Sequence, residues 1–586
     1  MKIKHYKLKL KLETALHVGT QQNPDDAADM LRRRADGQLV IPGTGFAGAF
    51  RNHLIRIVPA MTRFADHQIV AEELRDNTDE NDAVLLLENI IYHLMGDVHP
   101  DRDSLSSHDT GKLRSDVHDF LREYSDRRAS RLIINDAVVH TGDTHIRDGV
   151  GIDRITGTAS RQAQSKFEIE TLPVGTGVEL LLELEDYNET DEYLVDLLIA
   201  ELDAGRIRVG GNTRRGMGKL ILTDVVETQA YDLEAPQQMM QYLSREKSSN
   251  QGTFNPETFS RSNVFESYRP VAGSVQSWIK ISFDLAIQGF FLTNDTARAV
   301  GDKFDLYSSM SPANRNGRPF YAGSGLRGVL RSSMERNART ITNTQVNNGD
   351  DFLYRCAASD PFVTHWSQHT EGIESTVSRL DRADSELKEK PEYEWFDLSE
   401  RLFGTTIFGS RLMVADAPLK AGTEATWKKL DFVAIDRFTG GAADSMKFDA
   451  YALWQPTFSC EIYLESPENW EVGGLLQALV DLREGFVSVG YGSAKGFGDA
   501  TIENLNLSLG YSHPEALQLP SIGQATEKGF WFEETLTSLP DTNIIGSWIE
   551  AVSNYKDAGK LPAHIYPDAY WNTRAALLYP RQGENA

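Results

Sequence analysis

Apolar and polar residues alternate along two separate segments of this chain. The first segment is marked by Leu8, Leu10 and Leu12, and the second by Ile279, Ile281, Phe283, Leu285 and Ile287. A period of two is typical of a strand with one buried and one exposed face. Each segment is therefore predicted to open a domain with a half-buried strand.

A glycine-rich turn and a helical pattern follow each predicted strand. After the turns, apolar residues recur at helical spacing, at Phe46, Phe50 and Leu54 and again at Leu326, Leu330 and Met334. This spacing predicts a short amphipathic helix after each turn, with Thr44 and Ser324 as the N-caps. Segments of high β-propensity then predict paired strands at residues 131–136 and 411–416, and at 178–184 and 458–464. The order favours an α+β fold with its helices on one face of a sheet.

Three motifs occur twice in the same order and at nearly the same spacing. Residues 41–51 recur as 321–331, residues 152–159 as 435–442, and residues 210–219 as 490–499. Colinear repeats of this kind indicate a duplicated structural unit. We infer two tandem copies of one domain.

Composition suggests where the two copies begin and end. We predict a first domain at residues 1–228 with an acidic, helix-prone insertion at about 63–127, a linker at 229–275 that is rich in Gln, Ser, Asn and Pro, and a second domain at 276–509. Residues 510–586 form a C-terminal extension to which the sequence assigns no role.

Net charge restricts the possible partners. The 586 residues include 60 Lys and Arg against 85 Asp and Glu, a formal net charge of -25. Such an excess of acid argues against generic binding of polyanions and against docking on an anionic membrane. No signal peptide or spanning helix is recognised, so we expect a cytoplasmic protein without a membrane partner. The two cysteines, Cys356 and Cys460, are too few for a disulfide framework or a thiolate zinc site.

One loop opposes the overall charge. Residues 206–219 carry no acidic residue and five basic ones, namely Arg206, Arg208, Arg214, Arg215 and Lys219. Closely spaced glycines allow backbone N–H groups to converge, and guanidinium groups beside them can bind phosphate. The loop could bind a nucleic-acid backbone, or it could be a tight hairpin with solvated arginines. Its recurrence at residues 490–498, where Lys495 replaces Arg215, favours the first interpretation.

Four further arginines occupy matching positions in the two copies. Arg51 and Arg331 lie on the helices that follow the glycine turns, and Arg154 and Arg437 each lie in an Asp-Arg-apolar-Thr-Gly sequence. Each could contact RNA. The alternatives are solvated helix arginines and structural Asp–Arg pairs.

Acidic residues upstream of the glycine turns are the catalytic candidates. They are Asp25, Asp26, Asp29 and Asp36 in the first copy and Asp302 and Asp305 in the second. A carboxylate near a phosphodiester can act as a general base or hold a divalent ion, although each residue could also be a solvated loop acid. His17 has no counterpart in the second copy, so we interpret it as a packed histidine.

The ordered set of motifs resembles the RAMP superfamily of CRISPR-associated proteins. The resemblance rests on Asp29 with the arginines after it, Asp36-Gly37, and residues 41–51, 152–157 and 215–219, and in the second copy on residues 317–325, 402–404, 435–437 and 495–498. It covers roughly residues 1–225 and 275–508. More narrowly, the chain looks like a fused double-domain backbone subunit of type III-D-like effector complexes, which bind guide RNA and cut the paired target RNA.

The resemblance implies a fold and a set of site residues. The fold would be two modified RNA-recognition-motif (ferredoxin-like) domains, each with a protruding thumb hairpin in the stretch before Arg154 or Arg437. Asp29 best matches the family's catalytic aspartate and Asp26 is second. Asp305 fits better than Asp302 in the second copy, although the Pro-Leu-Arg run expected after it is replaced by residues 308–311. The expected RNA-binding residues are Arg51, Arg154, Arg208, Arg214, Arg215, Lys219, Arg331, Arg437 and Lys495.

The implied activity is antiviral RNA cleavage within a ribonucleoprotein. An aspartate, together with a divalent cation such as Mg²⁺, would assist attack of a target 2′-hydroxyl on the adjacent phosphate. The partners would be a guide RNA, the complementary target RNA and other CRISPR effector subunits. No structural zinc is expected, because the Cys-rich motif of some relatives is missing. Two alternatives remain: a non-catalytic scaffold for guide and target, and a ribonuclease that processes guide precursors, which usually relies on histidine.

Overall fold

The computed structural model describes residues 1–20, 28–57, 91–92, 94–96, 129–140, 143–154, 157–160, 166–248, 250–259, 276–295, 299, 303–308, 317–345, 356–358, 396–405, 408–512, 522–536 and 543–555. We call the described residues up to 259 the first half and those from 276 the second half. Among the described residues, no helix is long and apolar enough to cross a membrane. The insertion predicted at about 63–127 lies outside them, apart from 91–92 and 94–96.

The first half is built on an eight-stranded sheet. Its strands and helices are β1 (Lys2–Leu12), β2 (Val40–Ile41), α1 (Gly43–Ile57), β3 (Leu132–Ile134), β4 (Ala137–Val139), β5 (His145–Val150), β6 (Lys166–Thr171), β7 (Gly177–Glu185), α2 (Glu189–Asp203), β8 (Leu220–Leu222), β9 (Val226–Asp232), α3 (Pro236–Ser244) and β10 (Gln251–Phe254). The sheet order is β10-β9-β1-β7-β4-β2, with β3 on β7 and β8 on β1, while β5 and β6 form a separate hairpin.

The second half repeats this plan around β11. Its elements are β11 (Ser277–Ile287), β12 (Phe290–Phe291), β13 (Leu306–Tyr307), β14 (Phe320–Tyr321), α4 (Gly323–Gln345), α5 (Leu398–Phe403), β15 (Leu412–Val414), β16 (Ala417–Pro418), β17 (Trp427–Ile435), β18 (Ala442–Trp454), β19 (Thr457–Glu465), α6 (Asn469–Arg483), β20 (Ala500–Tyr511), β21 (Thr526–Lys528), β22 (Trp531–Leu536) and α7 (Asn543–Asn554). The main sheet has the order β15-β19-β11-β20-β22-β21.

The predicted alternation and strands are confirmed. Leu8, Leu10 and Leu12 are buried on one face of β1, and they pack with α1 residues such as Phe46 and Phe50 in one core cluster. Strands also form in the predicted segments, and within each half they pair antiparallel, β3 with β7 and β15 with β19. Together with the helices on the sheets, these elements confirm the α+β class.

The N-terminal caps of α1 and α4 differ from the prediction. The helices begin at Gly43 and Gly323, so Thr44 and Ser324 lie inside them. The backbone N–H of each glycine instead donates to a carboxylate after the neighbouring strand, that of Asp136 at 3.0 Å in the first half and that of Asp416 at 2.9 Å in the second. A Cβ on Gly323 would lie 2.2 Å from the Val414 carbonyl oxygen, so only glycine allows this close approach.

The structure corrects the predicted linker and assigns part of the C-terminal extension. Residues within the range 229–275 complete β9, form α3 and add β10 to the edge of the first sheet. Polar composition did not reveal this, because an edge strand needs few buried side chains. Within 510–586, β21 and β22 extend the second sheet, and α7 packs Trp548 against Trp470 of α6 with ring centroids 6.0 Å apart.

Strand β22 also joins the two halves. Trp531 is 3% exposed, and its indole N–H donates to Glu201 of α2 at 3.1 Å. The guanidinium of Arg206 lies over Trp531 and Trp278 and donates twice to the Glu201 carboxylate. Burial alone would raise the pKa of Glu201, but Arg206 and His53 lower it to about 2.

Candidate nucleic-acid interface

The two glycine loops, at residues 210–219 and 490–499, have matching conformations. Each contains a short 3₁₀ turn, Thr213–Arg215 or Ser493–Lys495, that ends at a glycine with positive φ. A Cβ on Gly218 would lie 2.1 Å from the Val209 carbonyl oxygen, and one on Gly498 1.8 Å from that of Val489. The repeated glycines are therefore required by the turn itself.

The first glycine loop faces the second half of the protein. Arg214 donates to Glu465 of β19 at 2.9 Å, and Lys219 pairs with Glu461 at 3.5 Å as well as with Glu13 at 2.7 Å. Burial alone would raise the pKa of Glu461, but Lys219 and nearby cations hold it below its usual value. Two residues predicted to bind RNA thus form ion pairs between the halves.

A second set of predicted RNA-binding arginines meets at Glu335 of α4. This carboxylate is buried, and it accepts from the Nε atom of Arg154 at 2.8 Å and from that of Arg331 at 2.7 Å. Arg339 lies 3.9 Å away and the Ser399 hydroxyl donates at 3.1 Å. Burial alone would raise the pKa of Glu335, but the three arginines lower it to about 2.

Arg51 and Arg208 are also placed within the protein. Arg51 donates to the backbone oxygen of Met95 at 2.6 Å. Arg208 is buried, its Nε and Nη1 atoms have no hydrogen-bond partner, and burial lowers its pKa. It therefore lacks the hydrogen bonds that a buried guanidinium normally makes.

Positive charge accumulates where the first loop meets α4. Burial, together with Arg331, Arg215 and Arg214, lowers the pKa of Arg327 to about 9. Arg215 is exposed, and its guanidinium lies 5.1 Å from the ring centroid of Phe167. An additional anion at this junction would relieve repulsion between Arg327 and the neighbouring arginines.

A small cleft opens beside this junction. Its walls include Arg147, Phe167 and Arg215 from the first half and Asp295, Phe320 and Ser324 from the second. Arg147 bridges the halves by donating to Asp416 at 2.7 Å. Charged, aromatic and aliphatic side chains line the cleft, and both halves build it.

The thumbs were predicted in the stretches before Arg154 and Arg437, whereas each hairpin has one strand before and one strand after its arginine. In the first half, β5 and β6 flank Arg154 and expose Ile146, Val150 and Phe167. In the second half, β17 and β18 flank Arg437, and they carry an apolar tip of Val433, Ile435, Phe438 and Met446, with Phe438 99% exposed.

The tip of the second hairpin is held by its own aspartate. Asp436 accepts from the backbone N–H groups of Phe438 at 2.9 Å and Thr439 at 2.7 Å. These hydrogen bonds lower the pKa of Asp436.

Arg437 is exposed. At the second glycine loop, the Lys495 ammonium lies within 5.8 Å of the ring centroids of Tyr491, Phe432 and Phe448. Both cations are available to a ligand.

Asp29 lies next to the first glycine loop. Its Oδ2 atom is 3.0 Å from Nε2 of His17, and the backbone oxygen of His17 accepts from the N–H of Gly211 in the loop at 2.7 Å. The Oδ1 atom of Asp29 is buried and has no hydrogen-bond partner. The other first-half candidate, Asp26, lies outside the described residues, as do Asp25 and Asp302.

The second half has no equivalent of this pair. The backbone oxygen of Leu292 accepts from the loop N–H of Tyr491, as that of His17 does from Gly211. The isolated β-bridge between Gly19 and Leu31 corresponds to the one between Asn294 and Ser308. Asp29 lies two residues before Leu31, so its counterpart in the second half is Leu306, which lies two residues before Ser308.

Asp305 is hydrogen-bonded to a residue of the second hairpin, Asp449 of β18. Its carboxylate accepts from the backbone N–H of Asp449 at 2.9 Å, and its own N–H donates to the Asp449 carboxylate at 3.0 Å. The structure therefore does not bring Asp305 to the position that Asp29 holds.

A divalent cation would find a partial site at Asp29. The described residues contain no group of three or more His, Cys, Asp or Glu side chains that could hold a metal ion. Mg²⁺, however, is commonly held by one or two carboxylates together with substrate phosphates. The carboxylate of Asp29, whose side chain is 31% exposed, can supply one such ligand.

Sequence reasoning missed the acidic partners of the arginines and the role of His17. Glu335 follows Arg331 by one helical turn, so the i,i+4 spacing was a local signal. No local signal connects Arg154 with Glu335 or Arg214 with Glu465. His17 was interpreted as a packed histidine, and it is indeed buried, but its ring contacts the leading catalytic candidate.

Comparison with known proteins identifies the family. The model of the RAMP superfamily matches residues 9–221 and 311–500, one segment in each half. A search of curated proteins gave no match. The chain belongs to the RAMP superfamily and contains two RAMP regions of α+β fold. Membership indicates a CRISPR-associated RNA-binding subunit that associates with RNA and with other effector subunits.

Proposed function

We propose that this protein is a backbone subunit of a type III CRISPR effector complex, of the type III-D kind, that binds guide RNA and cleaves the paired target RNA from its first half. The observation that carries the proposal is the position of Asp29. Its carboxylate is linked through His17 to the backbone of the first glycine loop. The proposed general base therefore lies next to the backbone that is proposed to bind phosphate.

The proposed reaction is a transesterification. The 2′-oxygen of a target nucleotide attacks the adjacent phosphorus, the P–O5′ bond breaks, and the products are a 2′,3′-cyclic phosphate and a 5′-hydroxyl. Asp29 accepts the proton of the 2′-hydroxyl, and the leaving 5′-oxygen takes a proton from water. A divalent cation such as Mg²⁺, held by Asp29 and phosphate oxygens, would stabilise the developing negative charge.

The exposed hairpins support the required geometry. In-line attack needs the 2′-oxygen opposite the leaving oxygen, which a regular A-form helix does not provide. Apolar side chains such as Ile146, Val150 and Phe438 are exposed on the two hairpins, where they can unstack and kink a duplex. The cations Arg215, Arg437 and Lys495 remain exposed to hold RNA phosphates.

In the second half we favour a scaffold role. Leu306 stands where the first half has Asp29, and Leu292 stands where it has His17. Neither side chain can accept a proton. The second half would then position guide and target through its exposed hairpin and Lys495 without cutting.

Variants of the two aspartates test the proposal. Complexes are assembled with guide RNA and incubated with labelled target, and Asp36→Ala serves as a control at an exposed acid near Asp29. We expect Asp29→Ala to abolish the cut nearest the first half, while Asp305→Ala and the control keep it. Cutting by Asp29→Ala at the unmodified rate would remove the assignment. Chelator added to the unmodified complex tests the need for a divalent cation.

One observation favours a second candidate function. Guide-processing ribonucleases use histidine, and His17 contacts Asp29 in the first half. Incubating the chain alone with precursor RNA, without target, distinguishes this activity. Release of mature guide that is lost in His17→Ala would support it.

A further inference from the structure

The two ring nitrogens of His17 have different partners. Nδ1 lies 2.7 Å from the backbone oxygen of Glu170, and Nε2 lies 3.0 Å from Oδ2 of Asp29. A carbonyl oxygen can only accept a hydrogen bond, so Nδ1 must carry a hydrogen. The contact between Nε2 and Oδ2 therefore needs a second hydrogen, carried either by the imidazole or by the carboxyl group.

The backbone on either side of Asp29 is fixed independently of this contact. Its N–H donates to the Glu168 carbonyl at 3.0 Å, and its carbonyl accepts from the N–H of Glu170 at 2.9 Å. The Glu170 carboxylate accepts from the N–H of Leu31 at 2.9 Å and from Arg33. These backbone hydrogen bonds do not restrict rotation of the Asp29 side chain. Among the described residues, His17 is the one whose side chain hydrogen bonds to the Asp29 carboxylate.

Gly19 makes the contact sterically possible. A Cβ at this position would lie 2.8 Å from Oδ1 of Asp29 and 2.9 Å from Nε2 of His17. Any larger residue would therefore push the two side chains apart. The second half has Asn294 at the equivalent place, together with Leu292 and Leu306.

We propose that His17 is a positioning residue for target cleavage, which holds the partly exposed carboxylate of Asp29 in one orientation through the hydrogen bond to Oδ2. This inference rests on the function proposed above. His17 does not touch RNA in this account. Its contribution is to reduce the number of orientations that the carboxylate can adopt before reaction.

The test compares His17→Ala with His17→Gln in the assembled complex. The side-chain amide of Gln can place an N–H near the position of Nε2, so it restores the donor, whereas Ala removes it. We expect His17→Ala to slow single-turnover cleavage by about 100-fold, with guide and target dissociation constants within about twofold of the unmodified protein. His17→Gln should recover most of the rate. Gly19→Ala should slow cleavage without removing either side chain.

Combination with Asp29→Ala separates positioning from other effects. If His17 acts only through Asp29, adding His17→Ala to Asp29→Ala causes no further loss of rate. A ¹⁵N spectrum of histidine-labelled protein gives a readout that does not depend on activity, and the Nε2 resonance of His17 should shift in Asp29→Ala.

The outcomes are distinguishable. Cleavage by His17→Ala at the unmodified rate, or a His17→Gln variant as slow as His17→Ala, would overturn the inference while leaving Asp29 as the catalytic residue. Weakened RNA binding in His17→Ala would also overturn it, since a positioning role leaves binding unchanged. Unchanged cleavage by Asp29→Ala would instead remove the proposed function itself.

Discussion

Replacement of Glu335 by glutamine should destabilise the protein strongly. Its carboxylate is buried and receives hydrogen bonds from Arg154 of the first half and Arg331 of the second. Glutamine keeps the shape but removes the negative charge that compensates these guanidinium groups. Removing one partner of a buried ion pair costs about 3–5 kcal/mol. The lowered pKa of Glu335 gives a similar free energy. A decrease from 4.5 to about 2 corresponds to roughly 3 kcal/mol of stabilisation of the folded protein.

The direction of the pH dependence follows from the same group. The pKa of Glu335 in the folded protein is lower than in the unfolded chain, because the arginines favour the charged form. Its contribution to stability is complete above about pH 5 and is lost as the pH falls towards 2. Glu335→Gln should therefore lower stability at neutral pH and reduce the acid sensitivity of the folded state.

Urea unfolding followed by tryptophan fluorescence measures the effect. The matched control is Glu484→Gln, because Glu484 pairs with Arg483 at the surface with a 51% exposed side chain, and it should change the free energy of unfolding by less than about 1 kcal/mol. Guide-RNA affinity is measured on the same proteins. If Glu335→Gln is no less stable than the control, or if it binds guide RNA more tightly, then Arg154 and Arg331 are RNA ligands rather than structural partners of Glu335.

Three further changes test separate parts of the structure. Trp531→Phe removes the indole N–H that donates to the buried Glu201 of α2. It should lower the free energy of unfolding, measured by urea denaturation, by about 1–3 kcal/mol. An unchanged free energy of unfolding would show that this hydrogen bond is unimportant. Gly218→Ala should lower the melting temperature more than Gly175→Ala, since both have positive φ but only the first meets a backbone oxygen; equal shifts would contradict the steric argument. Phe438→Ala should leave stability within about 0.5 kcal/mol, because the ring is fully exposed, but should reduce target cleavage; unchanged cleavage would argue against a role of the second hairpin.

The sequence allowed the framework to be predicted because its signals are local or repeated. Period-two alternation located β1 and β11, and the repeated glycine turns located α1 and α4. Strand β10 was assigned to a linker because an edge strand can be polar. The helix caps were misassigned because the acceptors, Asp136 and Asp416, come from other strands.

The candidate site was less accessible to sequence reasoning. Arg214 and Glu465 are 251 positions apart in the chain, and no local pattern distinguishes an arginine that pairs with a distant glutamate from one that binds phosphate. For Asp29, the resemblance to the RAMP superfamily ranked it first among the first-half acids, and its catalytic role stays a prediction. In the second half the same reasoning selected Asp305, whereas the bridges place Leu306 at the equivalent position. A shift of one residue along a strand moves a side chain to the opposite face.

The central claim is that one half cuts and the other only holds RNA. A structure of the assembled complex with guide RNA and a target carrying 2′-deoxy substitutions, which prevent cleavage, tests it directly. The account predicts the Asp29 carboxylate within about 4 Å of the 2′ carbon of a kinked target nucleotide, since a 2′-hydroxyl there would lie within hydrogen-bond distance, with Leu306 facing an uncut position. A target strand whose kinked nucleotides lie far from Asp29, or one approached instead by Asp305, would contradict it.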